Sequence, residues 1–243
     1  MCGRYANFLS EQELIDAFEI ATIADDARLL GPSWNVAPTQ KVILVTASKE
    51  VPGKRIAETA KWGVVPSWAK DPSVGSRMIN ARGETVAEKP SFRSAFAKRR
   101  CLVPASGYYE WHTEGGVKTP HYIHTPDDAP LAFAGLYEFW RPTGTTDDAE
   151  GEETPWLATC TIVTTAARDE MRVLHDRQPV MLTPDQRDLW LDSESDKETL
   201  LDVIAAPAQQ IEWYAVDRAV GNVRNNSAEL LEPREPLNHS SDR

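Results

Sequence analysis

Four residues of this chain carry groups that can form a covalent bond, move a proton or orient a reactant: Cys2, Asn80, Glu110 and His175. Cys2 stands directly behind Met1. A side chain that small normally lets an aminopeptidase remove the preceding methionine, which would leave Cys2 with a free α-amine and a thiol on adjacent carbons. No internal cysteine combines those two nucleophiles. Nucleophilic catalysis also needs a base and something to orient it. Asn80 sits between apolar neighbours in MINAR at 78–82, Glu110 among aromatics in YYEW at 108–111, and His175 in VLHDRQPV at 173–180. A carboxylate among aromatics has its pKa raised by desolvation, and histidine titrates near neutrality, so both suit acid–base work. The plain alternatives are a frayed terminus at Cys2 and satisfied core polar groups at the others. Spacing does not say that the four meet.

A second set of residues could hold a nucleic acid. Between Ser76 and Cys101 seven bases (Arg77, Arg82, Lys89, Arg93, Lys98, Arg99, Arg100) face two acids (Glu84, Glu88), a window of +5 inside a chain of net charge −11. Charge distribution matters more than the total for such binding, although a solvated helix face would look the same. Trp62 and Trp68 lie just upstream. Unstacked bases can lie on exposed rings while arginines hold the phosphates. Trp62 falls in a predicted strand and suits the core; Trp68, after Pro66-Ser67, is the better exposed platform.

Other chemistries find little support. Cys2, Cys101 and Cys160 show no CxxC spacing, so neither a disulfide framework nor a zinc knuckle is expected. His121 and His124 are three apart, which on a strand puts them on opposite faces. No metal and no cofactor are expected. The sequence has no glycine-rich phosphate loop and no nucleophile elbow. It has no apolar run of roughly 18 residues, and no basic-then-apolar leader at its start. A reduced cytoplasmic setting without membrane contact is the expectation.

At 243 residues the chain can bury a substantial core. Ser10 and Glu13 form a capping-box pattern, and Leu14, Ile15 and Phe18 an apolar stripe, predicting a helix over 10–19. Strands are predicted at 41–46, 59–65, 101–103, 107–111, 121–124, 131–137 and 156–164, and helices at 90–98, 183–191 and 198–205. Pro32–Pro38 reads as ordered loop. Residues 142–155 hold five acids, no base and no bulky apolar side chain, so a mobile acidic loop is expected there, with a disordered tail over 236–243. Strands dominate without βαβ regularity. The expected fold is α+β: one domain over 1–235 with a curled, barrel-like mixed β core flanked by short helices.

Several stretches taken together resemble the SRAP family, the SOS-response-associated peptidases. They are MCGRY at 1–5, WNVAPTQ at 34–40, KWGVVPSWAKD at 61–71, INARGET at 79–85, FRSAF at 92–96, RRCLVPASGYYEW at 99–111, HDRQPVML at 175–182 and DRAVGNVRNNSAEL at 217–230. The resemblance implies a monomeric SRAP domain that binds single-stranded DNA and crosslinks covalently to abasic sites in the DNA damage response. It implies Cys2 as the crosslinking residue, with Asn80, Glu110 and His175 lining its pocket. Arg4 and Arg82 resemble positions that contact phosphates, Trp68 a base-stacking position, and Asn35 a position near Cys2 at the DNA-binding side. An activity on polypeptides, with Cys2 as a thiol peptidase nucleophile, is the alternative the family's name suggests.

Overall fold

The computed structural model describes residues 2–48, 50–142, 155–207 and 209–234. The strands are β1 (Tyr5–Asn7), β2 (Ile20–Ile23), β3 (Ser33–Val36), β4 (Lys41–Ala47), β5 (Arg55–Trp62), β6 (Asn80–Arg82), β7 (Arg100–Ala105), β8 (Gly107–Glu114), β9 (Val117–His124), β10 (Leu131–Trp140), β11 (Leu157–Ala166), β12 (Arg177–Pro179) and β13 (Glu212–Ala215). The helices are α1 (Glu11–Phe18), α2 (Asp25–Arg28), α3 (Arg93–Lys98), α4 (Pro184–Leu191) and α5 (Lys197–Ala205).

Antiparallel pairing runs β11–β10–β7–β4–β5, and a parallel pairing of β5 with β11 (Lys61 opposite Thr159, Trp62 opposite Cys160) closes these five strands into a barrel. Closure leaves the barrel no exposed edge along that seam. The strands β2, β6 and β12 extend the sheet. A second, wholly antiparallel sheet runs β13–β9–β8–β1–β3. The mixed α+β architecture with a barrel core is thus the expected one.

Because side chains alternate along a strand, the barrel wall divides its residues between two cores. From β4, Ile43 and Val45 face a core covered by Leu14 and Phe18 of α1, Phe96 of α3, Trp190 of α4 and Leu200 of α5. Val42 and Leu44 face the other, which also holds Cys2 and, from the second sheet, Tyr5 and Tyr108. That is why KVILVT reads as a continuous apolar run: both of its faces are buried.

In α1 the Ser10 hydroxyl accepts from the Glu13 amide and the Glu13 carboxylate accepts from the Ser10 amide, completing the capping box. Burying Leu14 and Phe18 stabilises this short helix by about 1.5–3 kcal/mol each. Two expectations change. Ser33–Val36 is a strand rather than loop, since it pairs with β1 (Tyr5 opposite Val36) and tertiary hydrogen bonds outweigh the flanking prolines. The strand predicted over 59–65 ends at Trp62, because Gly63 takes φ 125°. A Cβ on Gly63 would lie 2.4 Å from the Gly75 carbonyl oxygen, so the two backbones could not approach as they do. The acidic stretch, apart from its end residues, and the predicted tail lie outside the described residues.

Candidate functional site

The period-two geometry of β8 builds one wall. Tyr108 and Glu110 point to the same face, and Tyr109 and Trp111 to the other. Tyr108 joins the core around Cys2, while Tyr109 packs with Ala6, Tyr122 and Val220. Glu110 is therefore a carboxylate on the Cys2 side, 3% exposed. Burial raises its pKa above the ordinary carboxylate range, opposed in part by the positive charge of His175 and by the Trp111 amide it accepts from.

Cys2 is fully buried. Burial pushes its thiol well above the usual cysteine range, the nearby Glu110 carboxylate pushes further, and the Arg4 backbone N–H aimed at the sulfur acts in the opposite direction. The thiol is thus neutral at physiological pH. These mutual electrostatic effects set Glu110 beside both Cys2 and His175.

Asn80 completes the group. Its Nδ2 donates to the Cys2 carbonyl at 2.8 Å. The preceding residue is fixed twice over, since the Ile79 carbonyl accepts from the Ile162 amide at 3.1 Å and from Trp62 Nε1 at 2.9 Å. Among the described residues no donor reaches the buried Oδ1 of Asn80. Two residues on, Arg82 shares the strand face of Asn80 and is exposed. Downstream, Arg177 holds Glu84 with two hydrogen bonds of 2.5 and 3.0 Å and donates to the Thr164 carbonyl at 2.7 Å, tying the segment after His175 to the turn after Arg82.

His175 Nδ1 meets two partners that make opposite demands. The Arg177 backbone N–H donates to it at 2.9 Å, while an Asp176 carboxylate oxygen lies 2.8 Å away. A backbone amide is fixed in place, whereas the Asp176 side chain is 86% exposed and screened by water. The rigid amide is therefore the firmer of these two described partners.

Arg4 and Asn35 form a separate pair. Arg4 Nη1 donates to Asn35 Oδ1 at 2.8 Å and to the Val220 carbonyl at 2.7 Å, with its guanidinium 5.9 Å from the Trp111 ring centre. Asn35 is 2% exposed and its Nδ2 faces the carbonyls of Val220, Asn222 and Asn225. All of its polar contacts are internal to the protein.

Trp68 is 60% exposed while Trp62 is fully buried. The loop bearing Trp68 is braced from below: Trp140 Nε1 donates to the Ala69 carbonyl at 2.7 Å and packs with Val65 and Ala69. Sequence reasoning missed this brace, because Trp140 lies 72 residues after Trp68 with no local signal linking them. It also missed Tyr108 as a wall, although alternation from Glu110 would have found it.

The basic window shrinks on inspection. Arg99 pairs with Glu138 at 2.6 Å. Arg100 is buried and donates to the carbonyls of Phe96, Ala97, Trp190 and Asp192, closing the C-terminal ends of α3 and α4. Arg77, Arg82, Lys89, Arg93 and Lys98 remain on the surface. Among the described residues no cluster of His, Cys, Asp and Glu suits a metal ion, and no helix is long and apolar enough to cross a membrane.

Comparison with known proteins gives a consistent picture. The family model described as SOS response associated peptidase (SRAP) matches residues 1–223. Abasic site processing protein YoaM of Bacillus subtilis is 37% identical over 235 residues, covering 96% of this chain and 98% of its own. Abasic site processing protein YedK of Escherichia coli is 32% identical over 243 residues, covering 96% of this chain and 100% of its own. A crystal structure of a Bacteroides thetaiotaomicron protein shares the fold, with a TM-score of 0.79 at 22% identity over 96% of this chain and 100% of that one.

Proposed function

The chain belongs to the SRAP family, and on that premise we propose that it processes abasic sites in DNA by binding the single strand and crosslinking to the sugar through Cys2. The observation that carries this reading is the Asn80 bond to the Cys2 backbone beside a buried Glu110 that is electrostatically linked to Cys2 and His175. The relatives named as abasic site processing proteins, similar over nearly their full lengths, support the choice of substrate.

The chemistry explains the residue types. An abasic deoxyribose opens to an aldehyde at C1′. Once Met1 has been removed, the α-amine of Cys2 adds to that carbon; an unperturbed α-amine has a pKa of about 7.7–8.0, so free amine is present at neutral pH. Glu110 takes the proton released by the ammonium, an acceptor role suited to its raised pKa. His175 supplies the proton with which the carbinolamine hydroxyl departs as water, giving a Schiff base. The Cys2 sulfur then adds to the same carbon and its proton passes to nitrogen, closing a five-membered thiazolidine. One water is released per adduct. Asn80 orients Cys2 through its carbonyl and offers Oδ1 to a sugar hydroxyl.

A thiol peptidase would need a thiolate as its first nucleophile, whereas this order of events begins with the amine. Arg4 and Arg82 hold phosphates and Trp68 stacks a base, so binding is largely independent of sequence and weakens with salt. The test is a denaturing gel of the protein, with Met1 removal verified by intact mass, mixed with single-stranded DNA carrying one abasic site. A slow-migrating adduct that is absent with Cys2→Ala is expected. No adduct from the processed wild-type protein sinks the proposal.

A further inference from the structure

The motif DRAVGNVRNNSAEL at 217–230 has no part in the chemistry above, yet it is bonded closely to Trp34 and Asn35. Three of its carbonyls, those of Val220, Asn222 and Asn225, lie 3.3, 3.1 and 2.7 Å from Asn35 Nδ2. A fourth link runs from the Trp34 amide to Asn226 Oδ1 at 2.7 Å. On its other side, Asn35 Oδ1 accepts from Arg4 Nη1, and the same Nη1 donates to the Val220 carbonyl. One buried amide therefore joins three segments that are far apart in sequence.

We infer that Asn35 is a positioning residue, which latches the 220–225 segment against Arg4 and thereby aims the free edge of the Arg4 guanidinium at a DNA phosphate. The arrangement divides the guanidinium. Nη1 is consumed by Asn35 and Val220, whereas no hydrogen bond joins Nη2 to any described residue. A donor left unused on a half-buried cation is costly unless an outside acceptor meets it. An unspent Nη2 on a half-exposed guanidinium suits a charge-assisted contact with a phosphate oxygen. Asn35 itself, 2% exposed, has no face to offer a ligand. Burial also depresses the Arg4 pKa, a strain that an anion would relieve.

This inference rests on the reading of the ligand as single-stranded DNA, and the experiment separates the two. Affinity for undamaged single-stranded DNA is measured against salt for wild type, Arg4→Ala, Asn35→Leu, and the double variant, with thermal unfolding and the reaction of Cys2 with a small soluble aldehyde as controls. If Asn35 acts through Arg4, Asn35→Leu lowers the magnitude of the salt slope by about 0.7, one phosphate contact on a single strand. In the Arg4→Ala background it then changes neither the slope nor the aldehyde reaction any further. Asn35→Asp separates the two halves of the latch. It keeps an acceptor for Arg4 but turns a carboxylate oxygen on the three carbonyls, so amide hydrogen exchange over 219–226 should quicken and, because the latched segment aims Arg4, the salt slope should fall with it. Additive effects of Arg4→Ala and Asn35→Leu overturn the inference, as does an unchanged slope in Asn35→Leu. Loss of folding in both Asn35 variants also overturns it, since the residue would then be structural. Failure of the wild-type protein to bind or crosslink sinks the proposed function instead.

Discussion

Glu110 is 3% exposed and Trp68 60%, although both would serve the same DNA strand. Glu110 sits on a central strand of the antiparallel sheet, paired with His121 on one side and backed by Tyr108. Trp68 stands on a loop held by a glycine contact at its entrance and a tryptophan hydrogen bond beneath it. The first environment changes what its residue can do: desolvation turns an ordinary carboxylate into one that holds its proton at higher pH. The second leaves a ring in water and only fixes where it stands. On the proposed function, reactivity is made by burial and affinity by display.

Replacing the carboxylate should break the buried side most severely. Glu110→Gln removes the proton acceptor, and general-base losses typically run to about 10²–10⁴ in rate. Single-turnover crosslinking to abasic DNA should fall by that order while affinity for intact single-stranded DNA holds within about twofold. Wild-type rates should climb with pH through a pKa above the ordinary carboxylate value, and Glu110→Gln should flatten that limb. The stability effect has the opposite sign. An unfolded glutamate loses its proton near 4.3, whereas native Glu110 keeps it to higher pH, so between the two the native state binds more protons. Stability therefore declines as pH rises across that window, and at neutral pH Glu110→Gln should raise the melting temperature. A variant that lowers both rate and stability would contradict burial as the source of the shift.

Display is tested by removing the ring. Trp68→Ala should cost about 1–3 kcal/mol of single-stranded DNA affinity, the usual worth of one stacked base. Crosslinking at saturating DNA and the reaction of Cys2 with a small aldehyde should be nearly untouched. Equal loss in the small-aldehyde reaction would mean that Trp68 supports the pocket itself, and the contrast with Glu110 would collapse.

The two sides also differed in how far the sequence revealed them. Alternation within YYEW exposed Glu110 as a charge out of place among aromatics, and Pro-Ser before Trp68 marked it as a ring outside a strand; both signals are local. The capping box of α1 and the buried run of β4 were readable for the same reason. What stayed hidden depends on contacts between distant segments. Nothing in SWNV announces a strand until Tyr5 pairs with Val36, and nothing in the basic window says that Arg100 is spent on four carbonyls. Asn35 shows the same limit. Its motif suggested a place near Cys2, but the three carbonyls facing its Nδ2 lie 185 to 190 residues away.

The smallest expected effect concerns His175, which stands between these extremes at 27% side-chain exposure. Two groups compete for its Nδ1, and only one is held rigidly. If the Arg177 amide fixes the tautomer, the exposed Asp176 carboxylate contributes as a surface charge does, about 0–1 kcal/mol. Asp176→Asn should then change the crosslinking rate by less than about fivefold, and less still at high salt, where such charges are screened. His175→Ala, which removes the ring, should cost far more. A tenfold or larger drop in Asp176→Asn that persists at high salt would show the carboxylate, rather than the amide, orienting the ring. His175 would then belong with Glu110, as a group whose chemistry its surroundings change, and not with Trp68, as a group simply held in place.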